Sequence, residues 1–126
     1  MEEKWEDIKI LIVEDSVTSI MFFEAALKRQ GANVILAIDG EQAIELVKKN
    51  PDINIVVMDI NLPKLSGLQA TPIIKEINPK IGIILQTAYI LEHTEDVCLK
   101  AGCDIYLKKP ISLNKLVDSI KELLKR

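Results

Sequence analysis

The chain has two cysteines, one histidine and one tryptophan among 126 residues. Cys98 and Cys103 are too few for a disulfide scaffold and lack the CxxC spacing of a metal site, so they read as reduced thiols. The single histidine, His93, reads as a solvated surface residue, and Trp5 as a ring packed on a helix outside the first strand. Positive charge is also short. A net charge of -3 and a pI near 5.2 argue against direct nucleic-acid binding, and the lysines are scattered apart from patches near residues 48–49 and 108–109. No apolar run approaches bilayer-spanning length, and the N-terminus, MEEKWED, is acidic where a signal peptide would be basic. No internal repeat, linker or low-complexity segment is visible. The class implied is a cytoplasmic protein with no membrane partner.

What is present is an ordinary globular mixture, 48% apolar and 28% charged, in a length suited to one domain. We expect a single domain over 1–126 with its core at about 8–125. Five short apolar runs punctuate the chain: Lys9–Val13, Asn33–Ile38, Ile53–Met58, Ile81–Gln86 and Asp104–Leu107. KILIV and INIVVM are nearly continuous rather than alternating, as expected for strands covered on both faces of a parallel sheet. Helical periodicity fills the intervals. Val17–Gln30 carries Ile20, Phe23 and Leu27 on one stripe and stops at Gly31; Gly40–Lys49 ends before Asn50-Pro51. Glu92–Ala101 is closed by Gly102, and Ser112 is a good N-cap for Leu113, Leu116, Val117, Ile120 and Leu124. Pro72 should interrupt a third helix starting near Gly67, so we expect a late start, with Thr71 as N-cap and Pro72 at the first helical position, and a helix that is short or kinked. The alternation implies an α/β, doubly wound sandwich. In the flavodoxin-like order 2-1-3-4-5, five parallel strands carry helices on both faces.

Ligands of such sheets bind beyond the carboxyl ends of the strands, where strand order reverses. The first strand ends in Glu14-Asp15 and the third in Asp59, which would crowd three carboxylates together. Singly, each acid has a plain explanation, as a helix cap or a turn. Together they do not: two like charges about 4 Å apart at an effective dielectric of about 20 repel by roughly 4 kcal/mol. A cation, a lysine or a chemical task must offset that. Oxygen ligands of this kind suit Mg2+. The fourth strand ends in Thr87 and the fifth leads into Lys108-Lys109-Pro110. Nucleophile, metal, hydroxyl and ammonium are the parts phosphoryl transfer needs.

Four segments, ILIVEDS, VVMDINLPKLSG, ILQTA and AGCDIYLKKPI, in this order and spacing resemble the receiver domain of two-component response regulators over nearly the whole chain. The resemblance implies that Asp59 accepts a phosphoryl group from a phosphohistidine on a sensor histidine kinase or phosphotransfer protein. It implies Mg2+ held by Asp15, Asp59 and the backbone carbonyl of Asn61, with Glu14 acting through water. Lys109 would pair with the phosphoryl group, and a cis bond is expected before Pro110. Thr87 would move toward the phosphoryl oxygens and Tyr106 would turn inward as the switch aromatic. A downstream protein would read the surface of the fourth helix, fifth strand and fifth helix. Such a protein is not an enzyme beyond its own phosphorylation and dephosphorylation. Lys108 replaces a commonly small or polar residue and is expected to be exposed. Bulky Tyr89 would hinder water at an acyl phosphate, and Asn61 could instead orient it. Two alternatives stand beside this reading. A pseudo-receiver would dock without phosphorylation, but it usually loses an acid or the lysine, and all are present here. An aspartate-nucleophile phosphatase of the haloacid dehalogenase type would want DxDxT, and the segment is Asp59-Ile-Asn-Leu-Pro.

Overall fold

The computed structural model describes residues 5–88 and 94–126; the expectations for Tyr89, for His93 and for a helix start at Glu92 lie outside the described residues. Five strands form one parallel sheet: β1 (Lys9–Val13), β2 (Asn33–Ala37), β3 (Ile55–Asp59), β4 (Gly82–Thr87) and β5 (Ile105–Lys108). Their order is β2-β1-β3-β4-β5, the doubly wound arrangement. Strand β3 is buried at every position and so is β4, which is why their sequences are apolar without alternation.

Helices α1 (Val17–Arg29), α2 (Gly40–Lys49), α3 (Gly67–Ile77), α4 (Thr94–Ala101) and α5 (Leu113–Leu124) alternate with the strands. Side chains alternate across a strand, and the core splits accordingly. Ile10, Ile12, Ile55, Val57, Ile84 and Leu107 join Phe23 and Leu27 of α1 and Leu116 and Ile120 of α5 in one cluster. Leu11, Val13, Val56, Met58, Ile83 and Leu85 join residues of α2, α3 and α4 in the other. Trp5 packs in the first cluster, 3% exposed, and its backbone N–H donates to the Gln30 carbonyl at 2.8 Å. α1 stops at a positive-φ Gly31 and α4 at a positive-φ Gly102, both left-handed turns that suit glycine.

Helix α3 corrects the expectation of a late start. It begins at Gly67, and Pro72 lies inside it. Ser66 caps it with a full capping box: its Oγ accepts from Gln69 N–H at 3.1 Å, and Gln69 Oε1 accepts from Ser66 N–H at 3.1 Å. Gly67 adds a tertiary reason, since a Cβ there would stand 2.2 Å from the Asp59 carbonyl oxygen. Starting at 71 would forfeit both features. The proline forgoes one amide bond, and the neighbouring Thr71 hydroxyl donates to the Gly67 carbonyl at 2.8 Å.

Below the sheet, at the opposite end from the acids, Asp104 joins three elements. Its Oδ2 accepts from Lys75 Nζ of α3 and from the Ile83 N–H of β4, each at 2.8 Å. Lys75 also donates to the Ile81 carbonyl at 2.6 Å.

Candidate functional site

Four strand ends converge where the order reverses. β1 delivers Glu14 and Asp15, β3 delivers Asp59, β4 delivers Gln86 and Thr87, and β5 leads into Lys109. Ser16, rather than Asp15, caps α1, which leaves the Asp15 carboxylate available. Glu14, Asp15 and Asp59 each offer a carboxylate oxygen, and these atoms lie within 4.8 Å of one another. Glu14 is 1% exposed and Asp59 7%, whereas Asp15 faces solvent. The cluster is therefore a pocket with a mouth at Asp15.

Lys109 is the counter-charge inside it. Its Nζ stands 2.9 Å from Asp59 Oδ2, 3.2 Å from Glu14 Oε2 and 3.3 Å from Glu14 Oε1. Burial alone would lower this ammonium, but the hydrogen bond to Asp59 and the charges of Glu14 and Asp59 outweigh it and raise its pKa. One lysine does not neutralise three acids. Burial first, and the Asp59 carboxylate second, push Glu14 from an ordinary 4.5 up to about 7 despite Lys109. The pocket holds one ammonium against three acids, and its donors are hard oxygens, a combination that fits a small divalent cation such as Mg2+.

The rest of the pocket is held by backbone. Asn61 N–H donates to Asp59 Oδ1 at 2.9 Å, and Ile60 N–H donates to the Gln86 carbonyl at 2.9 Å. Gly67 N–H donates to the Ile60 carbonyl at 2.9 Å, so α3 is pinned to the turn that follows Asp59. Lys109 N–H donates to the Thr87 carbonyl at 2.8 Å, and the Lys109–Pro110 bond is cis, as expected. Lys108 is exposed, also as expected.

Thr87 is buried, and its Oγ1 accepts from the Asn61 side chain at 3.1 Å. That side-chain bond adds to the backbone and water-orienting roles expected of Asn61. Tyr106 pairs with Leu85 across β4–β5 and packs against the second core cluster. Its hydroxyl is buried with no hydrogen bond among the described residues, and burial, then Cys98 and Glu95, raise its pKa. Gln86 is more than the polar end of an apolar run. It is fully buried, and its Nε2 donates to Glu14 Oε2 at 3.0 Å. A polar side chain closing the apolar run IGIIL was the available signal. Beside these groups opens a cavity of about 510 Å3 lined by Thr18, Phe22, Gln86, Lys109, Pro110 and Ile111, among others.

An acidic, lysine-bearing pocket at the switch point of a 2-1-3-4-5 sheet brings together a carboxylate nucleophile, hard oxygen ligands and an ammonium, the parts of phosphoryl transfer. Residues 10–121 match the family model described as the response regulator receiver domain. The chain belongs to that family and is a receiver domain of two-component signalling. It is 31% identical over 118 residues to the polar-differentiation response regulator DivK of Brucella anthropi, covering 91% of this chain and 94% of DivK. It is 34% identical over 119 residues to the transcriptional regulatory protein ZraR of Klebsiella oxytoca, covering 94% of this chain but spanning only 27% of ZraR. Its fold matches a chain of the CheX–CheY–BeF3–Mg complex from Borrelia burgdorferi with a TM-score of 0.88 and 29% identity, over 93% of this chain and 89% of that one. It also matches a chain of the co-crystal of the Saccharomyces cerevisiae phosphotransfer protein Ypd1 with the receiver domain of Ssk1, with a TM-score of 0.86 and 27% identity, over 94% and 90% of the two chains. These relatives do not favour the phosphatase or the pseudo-receiver. No helix among the described residues is long and apolar enough to cross a membrane.

Proposed function

We propose that Asp59 is the phosphoacceptor of this receiver, taking a phosphoryl group from a phosphohistidine on a sensor histidine kinase or phosphotransfer protein. The observation that carries it is the position of Asp59: buried at the pocket floor, 2.9 Å from Lys109 Nζ and clustered with Glu14 and Asp15. A carboxylate oxygen of Asp59 attacks phosphorus, the P–N bond to the histidine breaks, and an acyl phosphate remains. Lys109 shifts from pairing with Asp59 to pairing with a phosphoryl oxygen. Backbone N–H of Asn61 keeps Asp59 oriented by holding its other oxygen. Asp15, Asp59 and the Asn61 carbonyl would hold Mg2+, with Glu14 through water. When bound, the metal supplies charge neutralisation for the acids and the incoming phosphoryl oxygens.

Thr87 then exchanges its bond to Asn61 for one to the phosphoryl group, and Tyr106 follows. The unpaired Tyr106 hydroxyl supports this, because no hydrogen bond among the described residues fixes the ring where it lies. Phosphate shifts the equilibrium only by its differential affinity for the two arrangements. The altered face of α4, β5 and α5 is read by a downstream protein; Val97 and Leu99 on α4 are each 46% exposed. Exposed Val17, Met21 and Phe22 of α1, beside the pocket, offer the phosphohistidine-bearing partner an apolar surface. The Ypd1–Ssk1 neighbour, a phosphotransfer protein with a receiver, supports that class of donor. In this reading, 1–126 is one cytoplasmic receiver unit that works through protein contacts without direct nucleic-acid binding. It catalyses only its own phosphorylation and dephosphorylation.

The test is intact-protein mass spectrometry after incubation with acetyl phosphate and Mg2+, beside Asp59→Asn. One added phosphoryl group that requires Mg2+ and is absent from the variant is expected. Beryllofluoride with NMR detection of Tyr106 covers a short-lived adduct; no adduct and no Tyr106 response would refute the proposal.

A further inference from the structure

One buried polar side chain, Gln86, takes no part in the proposed phosphoryl transfer. Gln86 is 0% exposed in a strand whose other residues, apart from Thr87 at its end, are apolar or glycine. Burying an amide costs free energy unless its hydrogen bonds are made, and Gln86 makes them at one end only. Nε2 donates to Glu14 Oε2 at 3.0 Å, while Oε1 is buried with no partner among the described residues. Such a side chain contributes less to fold stability than an apolar one of the same volume would. Its position has another logic. The strand residues of the first core cluster, Ile12, Val57, Ile84 and Leu107, lie two places before Glu14, Asp59, Gln86 and Lys109. By the two-residue period these four form a row across adjacent strand ends, on the side of α1 and α5. Gln86 is the Cα partner of Asp59 in the β3–β4 ladder and stands between the acceptor strand and the lysine strand.

We propose that Gln86 is a positioning residue for the cation site, fixing the direction of the Glu14 carboxylate; this rests on the receiver reading of that site. Gln86 and Lys109 both donate to Glu14 Oε2, while among the described residues Oε1 accepts from Lys109, at 3.3 Å. Oε2 is thereby committed to the protein, and Oε1 keeps acceptor capacity toward the pocket. Lys109 is drawn to a phosphoryl group in the proposed reaction; Gln86 is neutral, stays in place, and keeps Glu14 aimed when the lysine leaves. Partners of this kind behind metal-binding carboxylates typically change metal affinity about 10- to 100-fold when removed.

The test is calorimetric Mg2+ titration of the wild type, Gln86→Met, Glu14→Ala and the double variant at one neutral pH, with thermal unfolding of each in EDTA. Gln86→Met conserves volume and removes the donor. We expect it to weaken Mg2+ binding about tenfold. Its melting temperature in EDTA should be equal or higher, and the substitution should change Mg2+ affinity less than twofold when Glu14 is already alanine. Gln86→Leu serves if the methionine variant fails to fold. Mg2+ affinity unchanged by Gln86→Met overturns the inference alone, as does an equal loss in both Glu14 backgrounds, which would mark a general packing role. A wild type that takes up no Mg2+ overturns the cation site itself, and the inference with it.

Discussion

Removing the Glu14 charge should make the metal-free protein more stable at alkaline pH. Glu14 is 1% exposed, and burial with the Asp59 charge raises its pKa from 4.5 to about 7. The folded state therefore binds its proton more tightly than the unfolded chain does. Between pH 4.5 and about 7 the native state holds more protons, so stability falls as pH rises through that window. At about 1.36 kcal/mol for each tenfold in proton affinity, the ceiling is roughly 3 kcal/mol. For a domain of this size that corresponds to a fall of about 10 °C in melting temperature. Lys109 does not mask the effect: its pKa is raised above 10.5, so its contribution is constant over this window and is lost only at more alkaline pH. Glu14→Gln keeps the shape and an acceptor for Gln86 and Lys109 while removing the titration. Urea unfolding in EDTA at several pH values, followed by fluorescence of the buried Trp5, measures both proteins. The wild type should lose stability between pH 5 and pH 8, and the variant should lose clearly less. Parallel pH profiles, or a variant less stable than the wild type at pH 8, would refute the electrostatic account of the pocket.

Further outcomes follow from single contacts. Asn61→Ala removes the side-chain donor to Thr87; a net loss of about 1 kcal/mol is expected for such a bond, and Tyr106 should show a larger inward population by NMR without phosphate. Gly67→Ala drives a Cβ to 2.2 Å from the Asp59 carbonyl, so a cost of about 1–3 kcal/mol in urea unfolding should accompany slower uptake from acetyl phosphate. Asp104→Ala leaves Lys75 and the Ile83 N–H without their shared acceptor; a loss of about 1–3 kcal/mol is expected, with Mg2+ affinity measured by calorimetry unchanged.

The sheet was legible because its strands are buried on both faces: continuous apolar runs such as KILIV and INIVVM have few other short solutions. The acid pocket was legible because the acids stand at strand ends, Asp59 closing β3 and Glu14-Asp15 following β1, and strand order then brings those ends together. The start of α3 at Gly67 departs from the local proline rule for a physical reason. The rule against proline inside a helix is local, and it lost to the Ser66–Gln69 capping box and to the fit of Gly67 on the Asp59 carbonyl. The Glu14–Gln86 and Asn61–Thr87 bonds join residues 72 and 26 positions apart. Neither leaves a mark in local spacing, although a lone polar residue ending an apolar run invites the question of its partner.

Gln86 and Thr87 are consecutive residues, yet the pleat sends one toward α1 and α5 and leaves the other bonded to the turn before α3. The same single step separates Lys109 from Lys108, and places Tyr106 out of phase with Leu107. In the proposed switch, a change at the acid row would reach Thr87 and Tyr106 on the other side without any long relay, because the messenger would be the strand tip itself. Side chains on the reporting side can be exchanged to suit a new listener while those on the working side keep their places. A single fold can in this way serve many listeners with one chemistry.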